Sequence, residues 1–128
     1  MPNRLTNRER LLRQVTEAAW QAKVEQLARL AGWRVYHAPD NMPRRTRNGG
    51  HYVQAIAAGF PDLVLVKGKR LVFAELKREL GKTTPEQDAW LADLLCVPYI
   101  GVHVWRPSDE EKVRTVLGLP PLHDPERF

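Results

Sequence analysis

The chain of 128 residues contains a single cysteine, Cys96, and no apolar run that approaches the ~20 residues needed to cross a membrane. One cysteine cannot form an internal disulfide, so the small disulfide-rich scaffolds and the cysteine-rich zinc modules are excluded. The N-terminal residues are polar and lack the apolar segment of a secretory signal. We therefore expect a protein of the reducing cytoplasm, with no membrane segment.

Acidic residues are also few, because 15 Asp and Glu accompany 20 Lys and Arg, and the formal net charge is +5. The positive excess lies in residues 1–58, which hold ten basic and four acidic side chains. Fourteen of the twenty cations are arginine, the residue best suited to bidentate contact with phosphate. A basic half is typical of a nucleic-acid binder, but a solvated basic face has the same composition.

The pattern of apolar residues predicts a mixed α/β domain with layers on both faces of a sheet. The predicted elements are a helix from the Thr16 cap to Gly32, a strand over 33–37, strands over 62–67 and 70–77, a helix that starts at Thr84, a strand over 100–105, and a helix from Ser108 to Leu117. Two Thr/Ser-x-x-Gln/Glu spacings, Thr84 with Gln87 and Ser108 with Glu111, predict capping boxes.

The two central strands are separated only by Gly68-Lys69, a spacing that predicts a hairpin with a two-residue type II′ turn. Both faces of these strands are apolar, so we expect them to be covered on both sides. Residues 38–54, in contrast, predict a long loop, in which Arg44, Arg45 and Arg47 follow Asp40 without another acid.

The hairpin register brings three ionisable residues together. With Lys67 opposite Arg70, Asp62 falls opposite Glu75, and alternation places Lys77 on the same face as Glu75. Opposed carboxylates repel one another, and hard oxygen donors favour Mg²⁺ or Mn²⁺, so Asp62, Glu75 and the backbone carbonyl of Leu76 predict a divalent-metal site. The alternative is a buried Asp–Lys–Glu ion network.

These residues also carry a family resemblance. Gly59-Phe60-Pro61-Asp62 followed by Glu75-Leu76-Lys77, within GFPDLVLV…LVFAELKRELGKTTPEQDAWL…VHVWRP, resembles the virus-type replication-repair nuclease (VRR-NUC) family over about residues 16–107. The resemblance implies a restriction-endonuclease-like mixed sheet with a central hairpin flanked by helices, and a divalent-metal phosphodiesterase. It also implies three segments: a basic leading segment (1–15), the nuclease-like domain (16–118) and a C-terminal tail (119–128).

By the same resemblance, Asp62 and Glu75 are metal ligands and Lys77 is the catalytic lysine. Glu17 matches the acid on the first helix that completes the active site and its metal ligands, although an acid in a first helical turn also complements the helix dipole. Gln87 matches a glutamine beside the active site, and its alternative role is the capping box with Thr84.

The resulting expectation is a metal-dependent endonuclease that cuts branched DNA, such as four-way junctions or flaps. Its cofactor would be Mg²⁺, with Mn²⁺ able to substitute, and no organic cofactor is expected. The alternative is a non-catalytic DNA-binding module on a nuclease fold. The expected DNA-binding residues are Arg44, Arg45 and Arg47, followed by Arg4, Arg8, Lys67, Lys69 and Arg78.

A homodimer is expected as well, because two cuts on opposite strands of a junction need two sites related by two-fold symmetry. The alternative is a monomer that nicks DNA or trims flaps. The apolar residues proposed for the contact between copies lie in two places. They are Leu11, Leu12 and Val15 in the leading segment, or those of residues 117–122 near the C-terminus.

Overall fold

The computed structural model describes residues 4–39, 44–45, 52–53 and 58–122. Its elements in chain order are α1 (Asn7–Gln14), α2 (Glu17–Leu30), β1 (Arg34–His37), β2 (Arg44–Arg45), β3 (Tyr52–Val53), β4 (Leu63–Lys67), β5 (Arg70–Leu76), α3 (Pro85–Leu95), β6 (Gly101–Trp105), a 3₁₀ turn (Pro107–Asp109) and α4 (Glu110–Leu117). No described helix has both the length and the apolar character needed to cross a membrane.

Four strands form a mixed sheet in the order β1-β4-β5-β6. The β1–β4 and β4–β5 pairs are antiparallel, whereas β5 and β6 are parallel. Within the central hairpin, Lys67 lies opposite Arg70 and Val64 opposite Phe73, which is the register that the two-residue turn predicts. The prediction of a mixed α/β domain with the hairpin at its centre is therefore confirmed.

One face of this sheet carries the hydrophobic core. Side chains from β4, β5 and β6 pack there against the apolar stripes of α2 and α4, in a cluster formed by Trp20, Val24, Leu27, Ala28, Trp33, Leu63, Leu65, Val72, Ala74, Leu76, Trp105, Val113 and Leu117. On the opposite face Phe60 packs edge-on against Phe73 and Trp90, with ring centroids 6.0 and 5.0 Å apart. Val66 on that face is 41% exposed. The expectation that both faces of the central strands are covered is therefore wrong near the hairpin turn.

The N-terminus of α4 differs from the prediction. A 3₁₀ turn precedes the helix, and Asp109 accepts a hydrogen bond from the backbone N–H of Arg106 (2.9 Å). The predicted Ser108–Glu111 capping box does not form. Glu111 instead accepts from the backbone N–H of Leu122 (3.1 Å), because the chain after α4 folds back beside it. The box between Thr84 and Gln87 forms as predicted.

The predicted loop over residues 38–54 is not entirely loop. Arg44–Arg45 pairs with Tyr52–Val53 in a separate antiparallel ladder of two residues per strand. Two residues are too few to show the alternation of apolar and polar residues that predicts a strand, so the sequence could not indicate this ladder. Arg47 and the other residues of 40–43, 46–51 and 54–57 lie outside the described residues.

Candidate active site

Asp62 lies immediately before β4, at the end of the hairpin opposite its turn. Its Oδ2 accepts a hydrogen bond from the backbone N–H of Leu76 (2.8 Å). Its own backbone carbonyl accepts from the N–H of Ala38 (2.8 Å), at the end of β1. These two hydrogen bonds hold the carboxylate between β1 and β5, and they replace the regular strand pairing that ends at Leu63 and Ala74.

Glu75 is the one buried charged side chain in the described part of the chain, and only 1% of it is exposed. Its Oε1 accepts a hydrogen bond from Gln87 Nε2 (2.8 Å) and lies 3.6 Å from Lys77 Nζ. Its Oε2 is buried and, among the described residues, has no hydrogen-bond partner. A buried carboxylate oxygen without a partner costs free energy, so this atom needs an explanation.

The protonation of Glu75 reflects this environment. Burial, followed by the neighbouring charge of Asp62, raises the pKa of Glu75 from 4.5 to about 8. The ammonium of Lys77 lowers this pKa, and the carboxylate of Glu17 raises it. The negative charges around Glu75 are therefore only partly balanced by the protein's own cation.

Lys77 is held in place by its backbone. Its N–H donates to the carbonyl of Trp105 (3.1 Å), which also accepts from the indole Nε1 of Trp20 (3.0 Å). The Trp105 carbonyl thus joins the end of β5 to α2. Trp20 is not among the predicted site residues, and its buried indole N–H, which must find an acceptor, is the sequence signal for this contact.

Gln87 makes two contacts, one within the predicted capping box and one with Glu75. Its Oε1 accepts from the backbone N–H of Thr84 (2.9 Å), which completes the capping box, while its Nε2 donates to Glu75. A side-chain amide has a separate acceptor and donor, so one residue can satisfy both contacts. The N-terminus of α3 is therefore joined to the buried carboxylate.

Gly59 sets how closely α3 approaches this region. Its φ is +85°, and a Cβ built on it would lie 2.4 Å from the backbone carbonyl carbon of Glu86. Only glycine allows both that conformation and that contact. The segment that leads into Asp62 consequently packs directly on the first turn of α3, which contains Gln87. This contact holds the Asp62 segment and the Gln87 helix together.

Glu17, the first residue of α2, is exposed, and its charge acts on Glu75. Among the described residues, no three or more Asp, Glu, His or Cys side chains lie close enough to form a metal-binding group. The donors brought together are the carboxylates of Asp62 and Glu75, next to the backbone of Leu76. A ligand role for Glu17 stays a prediction.

The predicted DNA-binding residues are dispersed. Lys67 and Lys69 lie at the hairpin turn, about 16 Å from Asp62 given the roughly 3.3 Å rise per residue of β4. The Nζ of Lys67 donates to the Ala31 carbonyl (2.6 Å) at the C-terminus of α2. Arg78, in contrast, is exposed and directly follows Lys77.

Comparison of the chain with models of known protein families, with curated proteins and with solved structures finds no match. The resemblance to the VRR-NUC family therefore rests on the residues quoted above, and it stays a prediction.

Proposed function

We propose that the chain is a divalent-metal-dependent endonuclease that hydrolyses DNA phosphodiesters, with branched DNA as its substrate. One observation carries the proposal: the buried carboxylate of Glu75 has an oxygen without a partner and lies beside Asp62 and Lys77. A structural ion network would leave no such oxygen, because buried ionic groups are retained at low cost only when each is satisfied.

The charges of the site favour a divalent cation. Three carboxyl groups, those of Asp62, Glu75 and Glu17, interact there, and among the described residues Lys77 supplies the ammonium that acts on Glu75. An ion with two positive charges would balance this set and accept the unpartnered oxygen of Glu75. Carboxylate and carbonyl oxygens are the donors that Mg²⁺ and Mn²⁺ prefer, so Asp62, Glu75 and the Leu76 carbonyl fit the role.

When bound, such an ion would polarise a phosphate oxygen and stabilise the charge of the transition state. The protein supplies the remaining functions. Gln87 holds Oε1 of Glu75 in place, and the Leu76 N–H does the same for Asp62. Lys77 Nζ, which is mostly buried near Glu75, is placed to donate a hydrogen bond to the attacking water or to a phosphate oxygen.

The test is cleavage of labelled four-way junctions, flaps and linear duplexes in Mg²⁺, Mn²⁺ or EDTA. The variants are Asp62→Asn, Glu75→Gln and Lys77→Ala, with Glu86→Gln as an exposed, charge-matched control in α3. Asparagine still accepts from the Leu76 N–H, so Asp62→Asn removes charge without removing the structural contact.

We expect cleavage by the wild type and by the control with either metal, preferentially on the branched substrates. Each of the three variants should lose at least ~100-fold in rate, and the Asp62/Glu75 double variant should lose little more than either single one, because both act on one ion. Calorimetry should show metal binding lost in the two acid variants and kept in Lys77→Ala. Near wild-type cleavage by any of the three would reject this mechanism, and no cleavage under any metal would favour a DNA-binding module.

A further inference from the structure

The leading helix α1 is the most basic exposed element in the described part of the chain. It contains Arg8, Arg10 and Arg13, and Arg4 precedes it; all four are exposed. Its single acid, Glu9, is occupied by the N-terminal cap, where it accepts from the backbone N–H of Thr6 (2.7 Å). Among the described residues, none of the four guanidinium groups forms an ion pair, so their charge is available to a partner.

The position of α1 relates it to the candidate active site. The helix contacts the 3₁₀ turn at Pro107–Asp109, which directly follows the end of β6. Ser108 in that turn donates its N–H to Glu79 (3.0 Å), two residues after Lys77. The basic helix therefore lies at the end of the sheet that carries Glu75, and the hairpin turn with Lys69 lies at the other end.

A second copy of the chain fits α1 less well. Of the apolar residues proposed for such a contact, Leu12 is half-buried and Val15 packs against the core, which leaves Leu11, 64% exposed. One exposed leucine among four arginines does not make the apolar centre of a stable protein interface, from which charged residues are depleted.

We propose that α1 and Arg4 form a docking surface for the phosphate backbone of DNA engaged at the candidate active site. Arg10 and Arg13 are neighbours on the helix surface, and Arg10 lies on the opposite side from the half-buried Leu12. The helix is about 12 Å long, which matches three to four phosphates of one strand at roughly 3.4 Å per step.

This inference rests on the proposed function, because a nuclease must hold DNA beside its reacting phosphate. It names α1 as the element that holds the DNA. It also assigns a larger share of DNA binding to the leading segment than to the hairpin turn. Contacts of this kind position the DNA and carry no sequence information.

The test measures binding of a labelled four-way junction and of a duplex by fluorescence anisotropy, in EDTA so that no cleavage occurs. Arg10→Ala/Arg13→Ala is compared with Arg29→Ala/Arg34→Ala, which removes the same charge from exposed residues at the opposite end of the sheet, near the hairpin turn. No residue of α1 is buried and alanine favours helix, so the first variant should keep its melting temperature, which circular dichroism checks.

Each lost phosphate contact should reduce the slope of log affinity against log salt by about 0.9, so the α1 variant should lose about 1.8. Between roughly 50 and 200 mM salt, its affinity would then fall about 12-fold less than that of the wild type. We expect this change, on both DNA forms, for the α1 variant only.

Equal slopes for the α1 variant and the wild type would overturn the inference, as would equal losses in the two double variants or no binding by the wild type. The proposed function fails differently. If the wild type binds through α1 but cleaves no substrate with any metal, the docking surface stands and the nuclease chemistry does not.

Discussion

Replacing Glu75 by glutamine should make the metal-free protein more stable above neutral pH. The substitution keeps the shape of the side chain and an oxygen that accepts from Gln87 Nε2. It removes a carboxyl whose pKa is raised to about 8, mainly by burial and by the charge of Asp62. The new amide N–H₂ group occupies the position of the unpartnered Oε2 and can donate to Asp62.

The sign of the pH dependence follows from the raised pKa. In the unfolded chain Glu75 ionises near 4.5, whereas in the fold it stays protonated up to about 8. Its contribution to stability is thus complete below pH 4.5 and is lost as the pH rises through 8. Each pH unit in this window costs roughly 1.4 kcal/mol, so the metal-free wild type loses several kcal/mol relative to Glu75→Gln.

Thermal unfolding in EDTA at pH 5 and at pH 8 measures this loss. For a domain of this size 1 kcal/mol moves the melting temperature by about 4 °C, so the variant should melt on the order of 10 °C above the wild type at pH 8. At pH 5 the gap should shrink to a small fraction of that. Added Mg²⁺ should raise the melting temperature of the wild type at pH 8 by binding the folded state. It should leave the melting temperature of the variant unchanged.

The control is Glu86→Gln, which removes an exposed carboxylate from the first turn of α3. It should change the melting temperature by the same small amount at both pH values. If the difference in melting temperature between the wild type and Glu75→Gln is the same at pH 5 and pH 8, the reasoning is refuted. Glu75 would then ionise in the fold as it does in the unfolded chain.

Two further predictions concern the contact between α3 and the site. Gly59→Ala should destabilise the fold well beyond the ~1–2 kcal/mol cost of its left-handed backbone, because the new Cβ would meet the backbone of α3. Chemical denaturation measures the free energy of unfolding, which should fall much less in Gly68→Ala, because a Cβ there meets nothing within 4 Å. Gln87→Ala should weaken Mg²⁺ binding in calorimetry by leaving Glu75 unsupported, whereas a capping defect alone would lower the melting temperature with the Mg²⁺ affinity unchanged.

Local pattern was enough to predict much of the fold. A two-residue turn at Gly68-Lys69 leaves a single register for the strands on either side, so the proximity of Asp62 to the end of β5 followed from counting residues. The capping box at Thr84 was equally predictable, since its partners are three residues apart. The same signal failed at Ser108, where contacts with residues far along the chain compete with the local cap.

The sequence by itself determined which residues could meet along the hairpin, because turn length and strand alternation act over a few residues. Only the tertiary structure decided how those residues are used. The burial of Glu75 depends on the docking of α3 against Gly59, and the position of α1 depends on its contact with the 3₁₀ turn about a hundred residues later. Both contacts come from the packing of whole elements, for which the chain has no local period or spacing, so only the fold showed that Gln87 both caps α3 and donates to Glu75.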